Sequence, residues 1–466
     1  MISVEKIKHI FRAYDIRGIF GKTLSPDIVA KSAAIFANVI KEREKSDIVG
    51  VSGDGRITTN ILMFAAAAGI AGAGLDVYLI DSIPLPVFGF TIWRHGEIRG
   101  GAYVTASHNP PEWNGIRFRW SDGTGFAEEN TEIKNRFFKD LVKWADWDRV
   151  GEIYSSDRNR ILEKYIKFAL SLDPQPERRL KVVTDTMNGI GGIVVPHLFR
   201  HTHEVATLNS QVDGFFPVGS ADPVHEDLSP LQNFVKSCNA DIGLAFDGDA
   251  DRAVVIDDRG RRVPPEIIGI ILARELLKSG DIVVYNAECA SILKNTLEEM
   301  GIKTVETRVG DVFVAKSAKE NKAKMGVESS YHFFIPLYGF YYDDAILTSY
   351  ILTAIVSKYK RKLSKIVDEI GRFYVLRENI RVDDELKWKV VEYLKEKFKT
   401  IYSQISTIDG VKVYLENGSV LIRPSNTEPV IRITSEAITE ESVHEIHKKF
   451  KENLLDAISR VKLSNT

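Results

Sequence analysis

Asp241-Ile242-Gly243-Leu244-Ala245-Phe246 runs without a break into Asp247-Gly248-Asp249-Ala250-Asp251-Arg252, and this stretch decides the fold. Its first half is a short apolar run of strand length. Its second half sets three carboxylates at alternate positions, where the strand must end. Two more β-type runs lie upstream at 181–184 and 204–208, separated by helical stretches. The same order recurs on either side. Upstream, strands at 48–52, 75–80 and 101–105, with an alanine-rich helix at 59–73, end on Ala106-Ser107-His108-Asn109-Pro110. Downstream, strands at 281–285, 303–307 and 324–327 end on Glu328-Ser329-Ser330. Strands separated by helices favour parallel βαβ units, whose ligands bind beyond the carboxyl ends of the strands. Each block puts its most unusual polar sequence there.

The last hundred residues or so read differently. Strands at 373–382, 411–414, 419–422 and 430–434, flanked by helices at 384–399 and 440–459, predict a small α+β domain with an antiparallel sheet. The expected division is 1–150, 151–254, 255–370 and 371–466.

The chain has 466 residues, of which 44% are hydrophobic and 27% charged, the balance of an ordinary globular protein with several cores. Its formal charge of −2 supplies no basic field for nucleic acid or a membrane surface. An anionic ligand must therefore be met by local arginines and backbone amides. Cys238 and Cys289 are too few for a disulfide framework and read as small buried hydrophobes in a reducing cytosol. The first residues, with Glu5, Lys6 and Lys8, hold no apolar run of signal-peptide length. No segment approaches the roughly 18 uninterrupted apolar residues of a membrane span. These features predict a cytoplasmic protein with small-molecule partners.

Three close carboxylates are costly unless a cation neutralises them, so Asp247, Asp249 and Asp251 read as ligands for a hard divalent ion. An EF-hand is excluded because Arg252 stands where its obligatory glycine belongs. A solvated acidic turn is the plainer alternative. Ser107, followed by His108, Asn109 and two prolines, offers a hydroxyl on a tight loop, or only a turn. It is a poor serine-hydrolase site: the Gly-x-Ser-x-Gly elbow is missing, and an adjacent histidine seldom reaches its neighbour's hydroxyl. Arg423-Pro424-Ser425-Asn426-Thr427-Glu428-Pro429, with Arg432 beyond it, gathers donors that match phosphate oxygens, and reads equally as a β-turn. Phe11-Arg12-Ala13-Tyr14-Asp15-Ile16-Arg17-Gly18 sets arginines beside a tyrosine. Glu328, Ser330 and His332 could hydrogen-bond sugar hydroxyls.

Together these four motifs and the Glu328 loop resemble the α-D-phosphohexomutase superfamily, over nearly the whole chain and in the family's order. The resemblance implies three related α/β domains with mixed sheets and a mobile C-terminal α+β domain, around a central cleft. It implies that Ser107 is the phosphoserine and that Asp247, Asp249 and Asp251, with Ser107 as a further ligand, bind one Mg²⁺. It implies active-site roles for Arg17 and Arg252, and His108, Arg117 and His332 are expected to act beside them. Tyr14, Glu328 and Ser330 would contact the sugar, while Arg423, Ser425, Asn426, Thr427 and Arg432 would hold the phosphate not being transferred. The implied reaction interconverts hexose 1-phosphate and hexose 6-phosphate, glucose or mannose first, through a hexose 1,6-bisphosphate. A phosphoglucosamine mutase, a metal-dependent phosphatase and a non-catalytic sugar-phosphate sensor are the alternatives.

The chain departs from the family pattern in four places. Val327 and Tyr331 stand at the usual glycines of the sugar loop. Arg117 replaces the lysine of an Asn-Gly-x-Lys segment. Ser52-Gly53-Asp54-Gly55-Arg56 lacks the first arginine of Gly-Arg-Asp-x-Arg, and Glu288 stands where glucose and mannose enzymes often carry lysine. Arginine is a poor proton acceptor, so His332 or the departing phosphate is expected to take the sugar proton.

Overall fold

The computed structural model describes residues 7–44, 47–425 and 429–464. In the first block, strand Ile48–Gly53 is flanked in parallel by Asp76–Ile80 and Gly100–Val104. In the second, Lys181–Asp185 is flanked by Glu204–Leu208 and Ile242–Phe246. In the third, Ile282–Asn286 is flanked by Lys303–Thr307 and Met325–Val327. The opening strand is central each time, and the motif leaves from the third strand. The repeat in the sequence is thus a repeat of topology.

Antiparallel strands extend the first two sheets. Trp113–Trp120 pairs with Gly100–Val104 and carries Ile16–Ile19 on its far side. Ala253–Asp257 pairs with Ile242–Phe246. Trp113–Trp120 was not legible as a strand because its polar residues face inward: Arg117 and Arg119 are buried, opposite carboxylates. The alanines of helix Thr59–Gly72 serve close packing against helix Pro26–Arg43, with Ala66 and Ala67 buried beside Ala33, Ala34 and Ala37. Small side chains let the two backbones approach.

The C-terminal sheet is antiparallel throughout, in the order Tyr374–Arg381, Val430–Ala437, Gly418–Pro424, Val411–Leu415, Ile405–Ser406. Helices Asp384–Lys399 and Glu440–Ser464 close its core through Val390, Leu394, Phe398, Phe450 and Leu454, over Ile422 and Ile433. The fold is three α/β domains followed by this α+β domain.

The chain divides into two compact units. One runs to Pro264 and takes in Ser330–Ile366; the other holds Pro265–Ser329 and everything from Val367 on. Helix Ala345–Lys358, in the third block by sequence, is apolar all round and buried in the first unit. Within the second unit, the third sheet is tied to the C-terminal one. Lys412 Nζ donates to the carbonyls of Ala287 and Cys289 at 2.9 and 3.0 Å, and Val309 N–H to Asp409 at 3.1 Å. Cys289 is a buried free thiol, as its sequence reading expects, and Cys238 is half-buried. No described helix is long and apolar enough to cross a membrane.

Candidate active site

Ser107 follows strand Gly100–Val104 and adopts φ +49°. That left-handed conformation costs a non-glycine residue roughly 1–3 kcal/mol and must be held by its surroundings. Its N–H donates to Thr105 Oγ1 at 2.7 Å, and its Oγ donates to Asp247 Oδ2 at 3.0 Å. Arg252 Nη2 lies 3.4 Å from the same Oγ. His108 Nδ1 lies 3.2 Å away. Adjacent serine and histidine seldom meet, and they do so here in the turn where Ser107 is left-handed. Burial, then Arg252 and Arg17, hold that imidazole well below its usual pKa range, so it is neutral at pH 7. Gly248 is required at the facing loop: a Cβ there would meet the Ser107 carbonyl at 2.6 Å.

Asp247, Asp249 and Asp251 are fully buried, and one oxygen of each lies within 4.8 Å of the others. Burial and the Asp251 charge push Asp247 up to about 6. Burial, Asp251 and Asp247 push Asp249 well above the usual carboxylate range. Burial acts on Asp251 too, but His332, Arg117 and Arg252 outweigh it and hold that carboxyl low. Thr105 Oγ1 lies 3.0 Å from Asp249 Oδ2, while Asp249 Oδ1 has no hydrogen-bond partner among the described residues. A buried, unsatisfied carboxylate oxygen among two more is a donor set fitted to a hard divalent cation such as Mg²⁺.

Arg252, Arg117, Arg17 and His332 are arranged around this centre. Arg252 Nη2 and Nε each lie 2.9 Å from Asp247 Oδ2. Arg117 Nη1 lies 3.3 Å from Asp251 Oδ2. Arg17 donates to Ala106 O at 3.1 Å and to Asn109 Oδ1 at 2.9 Å, and pairs with Asp15 at 2.8 Å. His332 sets Nδ1 2.9 Å from Ser330 Oγ and Nε2 3.5 Å from Asp251 Oδ1. One unit thus gathers Ser107, His108, Arg17, Arg117, Arg252, Ser330, His332 and the three aspartates. Tyr14 is half-buried on the turn closed by Arg12 N–H and Asp15 O.

The second unit holds Glu328 and the arginine loop. Glu328 Oε1 accepts from Asn286 Nδ2 at 2.8 Å and Gly310 N–H at 2.6 Å. Arg423 and Arg432 stand directly opposite each other on adjacent antiparallel strands. Like charges in that position repel, and an anion between them removes the cost. Glu288 and Asp409 approach Arg423 at 3.5 and 3.7 Å. Burial raises Glu288, but Arg423, Arg377 and Arg432 outweigh it and bring its pKa below the usual value. Ser425 N–H donates to Val430 O at 3.0 Å. Asn426 and Thr427 lie outside the described residues.

Comparison with known proteins decides the family. Phosphoglucomutase/phosphomannomutase models match in chain order: alpha/beta/alpha domain I over residues 8–142, domain II over 163–260, domain III over 264–373 and the C-terminal domain over 378–453. The chain belongs to the phosphoglucomutase/phosphomannomutase family. A phosphoglucomutase/phosphomannomutase of Thermococcus kodakarensis is 33% identical, covering 94% of this chain and 96% of its own. A phosphoglucosamine mutase of Methanocaldococcus jannaschii is also 33% identical, covering 96% and 99%. The crystal structure of a phosphoglucomutase/phosphomannomutase family protein of Burkholderia thailandensis superposes with a TM-score of 0.88 at 27% identity, covering 98% of both chains. The protein is a phosphohexomutase, an isomerase that works by phosphotransfer.

Several partners of these groups escaped the sequence reading. Thr105 links Ser107, Asp249 and, at 2.7 Å, Asp54. Glu288 was legible only as a departure from a family lysine, and its approach to Arg423 joins positions far apart in the chain.

Proposed function

We propose that the protein interconverts hexose 1-phosphate and hexose 6-phosphate, of glucose or mannose, by way of phospho-Ser107. The observation that carries this reading is Ser107 Oγ held between a carboxylate of the buried triad and the Arg252 guanidinium. A sugar hydroxyl attacks the phosphorus of phospho-Ser107. The P–Oγ bond breaks and a P–O bond to the sugar forms. The hydroxyl proton passes to His332 or to the phosphoryl group in transit, and the Ser107 Oγ that leaves beside Arg252 takes up a proton in return and regains its hydroxyl. The resulting hexose 1,6-bisphosphate turns over and returns its other phosphate to Ser107.

Asp247, Asp249 and Asp251 would hold Mg²⁺, which supplies charge neutralisation for phosphoryl transfer. Arg252 offers its fork to the transferring group, and Arg17 braces the Ser107 loop through Ala106 and Asn109. Arg117 stays protonated and offsets the Asp251 charge. His108, neutral, lies against the Ser107 oxygen. Glu328 and Ser330, with Tyr14, would contact sugar hydroxyls. Arg423, Ser425, Asn426, Thr427 and Arg432 would hold the distal phosphate, which suits the opposed pair of arginines.

Phosphoglucosamine mutase is the second reading, favoured by a relative of that name as similar to this chain as the glucose/mannose one. The test is turnover of glucose, mannose and glucosamine 1-phosphates by the purified protein, with free phosphate measured alongside. Preference for the glucosamine ester would select the second reading. Phosphate release without isomerised ester would replace both with a phosphatase.

A further inference from the structure

Arg56 takes no part in the chemistry described so far, yet its hydrogen bonds converge on the Ser107 loop. Its side chain is fully buried, three residues past strand Ile48–Gly53. Nη2 donates to the carbonyls of Ser107 and Asn109, both at 2.6 Å. Nη1 donates to those of Pro110 at 2.7 Å and Trp113 at 2.9 Å. Nε meets Asp54 Oδ2 at 3.1 Å. Asp54 is fixed in turn by the hydroxyls of Thr59 and Thr105, each at 2.7 Å. The Phe216 ring lies 5.0 Å from the guanidinium carbon.

Four carbonyl oxygens pointing at one spot repel one another, and they converge only if a planar, five-donor cation sits among them. They belong to the segment that carries Ser107 in its left-handed conformation at φ +49°. A lysine ammonium has three donors and no plane, so it cannot serve all four carbonyls and Asp54. We propose that Arg56 is a positioning residue for the phosphotransfer: it holds the Ser107 loop in its strained form and so aims Oγ between Asp247 and Arg252. The proposal rests on the reading of Ser107 as the phosphate carrier.

The test uses the full-length chain as Arg56→Lys and Arg56→Ala, with Ser107→Ala beside them. The Ser107 phosphate is first counted by intact mass, so that rates refer to phosphorylated sites. A misaligned nucleophile loses about 100-fold in kcat per phosphorylated site. KM should stay within about twofold, because Arg56 touches no substrate-binding group. Phosphate lost to water should rise relative to isomerisation, and millimolar guanidinium should restore part of the Arg56→Ala rate. A purely structural arginine would instead lower the fraction of folded, phosphorylated protein and leave the rate per site unchanged. That result, or Arg56→Lys within threefold of wild type, overturns the proposal. If Arg56→Lys does not fold, guanidinium rescue of Arg56→Ala decides: recovery of rate per site supports it, and no recovery overturns it. A fully active Ser107→Ala removes the underlying reading instead.

Discussion

Replacing Asp249 with asparagine should make the metal-free protein more stable and the enzyme less active. At 4.8 Å, with an effective dielectric constant of about 20, two carboxylates repel by ~3.5 kcal/mol. Asp249 faces two such neighbours, a gross repulsion of about 7 kcal/mol. Burial and the two neighbouring charges hold the Asp249 pKa well above the usual carboxylate range, so proton uptake relieves part of this repulsion and the neutral amide removes what remains at neutral pH. The amide is close in size to the carboxylate and can still meet Thr105 Oγ1, so that contact is kept. Mg²⁺ at a hundred times its Kd should add about 2.7 kcal/mol to the wild type and much less to the variant. The assay is thermal unfolding of both proteins in EDTA and in excess Mg²⁺, with mutase rates on the same samples. In EDTA the variant should melt higher; in Mg²⁺ the order should reverse, with kcat well below wild type. A variant less stable than wild type in EDTA, yet equally stabilised by Mg²⁺, would refute the reasoning.

Arg432→Ala should raise KM by about 10- to 100-fold, the equivalent of one charge-assisted hydrogen bond worth ~1.5–3 kcal/mol, and unchanged kinetics would remove this arginine from the phosphate site. Arg117→Lys keeps the charge beside Asp251 but loses the fork, so kcat should fall; a gain in rate would move the proton site to position 117. Asp344, raised by burial to about 7, caps helix Ala345–Lys358 through Leu347 N–H and accepts from Tyr165. Because its folded pKa lies above the ordinary 3.8, the folded state binds the proton more tightly, and this contribution to stability is lost as pH rises from about 4 through 7. Asp344→Asn should therefore flatten the fall of melting temperature over that range, and a slope identical to wild type would count against it.

The aspartate triad and the Ser107 loop were legible because each is a short run of residues at a strand end, where local order and chemistry coincide. The repeat of three strands was legible because the central strands are short, largely buried runs rich in Val and Ile. What stayed hidden depends on backbone direction or on distant partners. The approach of His108 to Ser107 follows from the sign of one φ angle, which no residue type at that position announces. The Arg56 contacts end on carbonyl oxygens, which every residue carries, so sequence holds no mark of them. Trp113–Trp120 was obscured by arginines that are polar by type but buried by pairing.

The most direct test of the phosphoserine mechanism is to map phosphate on the protein after incubation with hexose 1,6-bisphosphate, and again after adding hexose monophosphate. One phosphate is expected, on Ser107, discharged to the sugar in the second step, with Ser107→Ala neither labelled nor active. A phosphate on another residue of active enzyme, or an active Ser107→Ala, would contradict it.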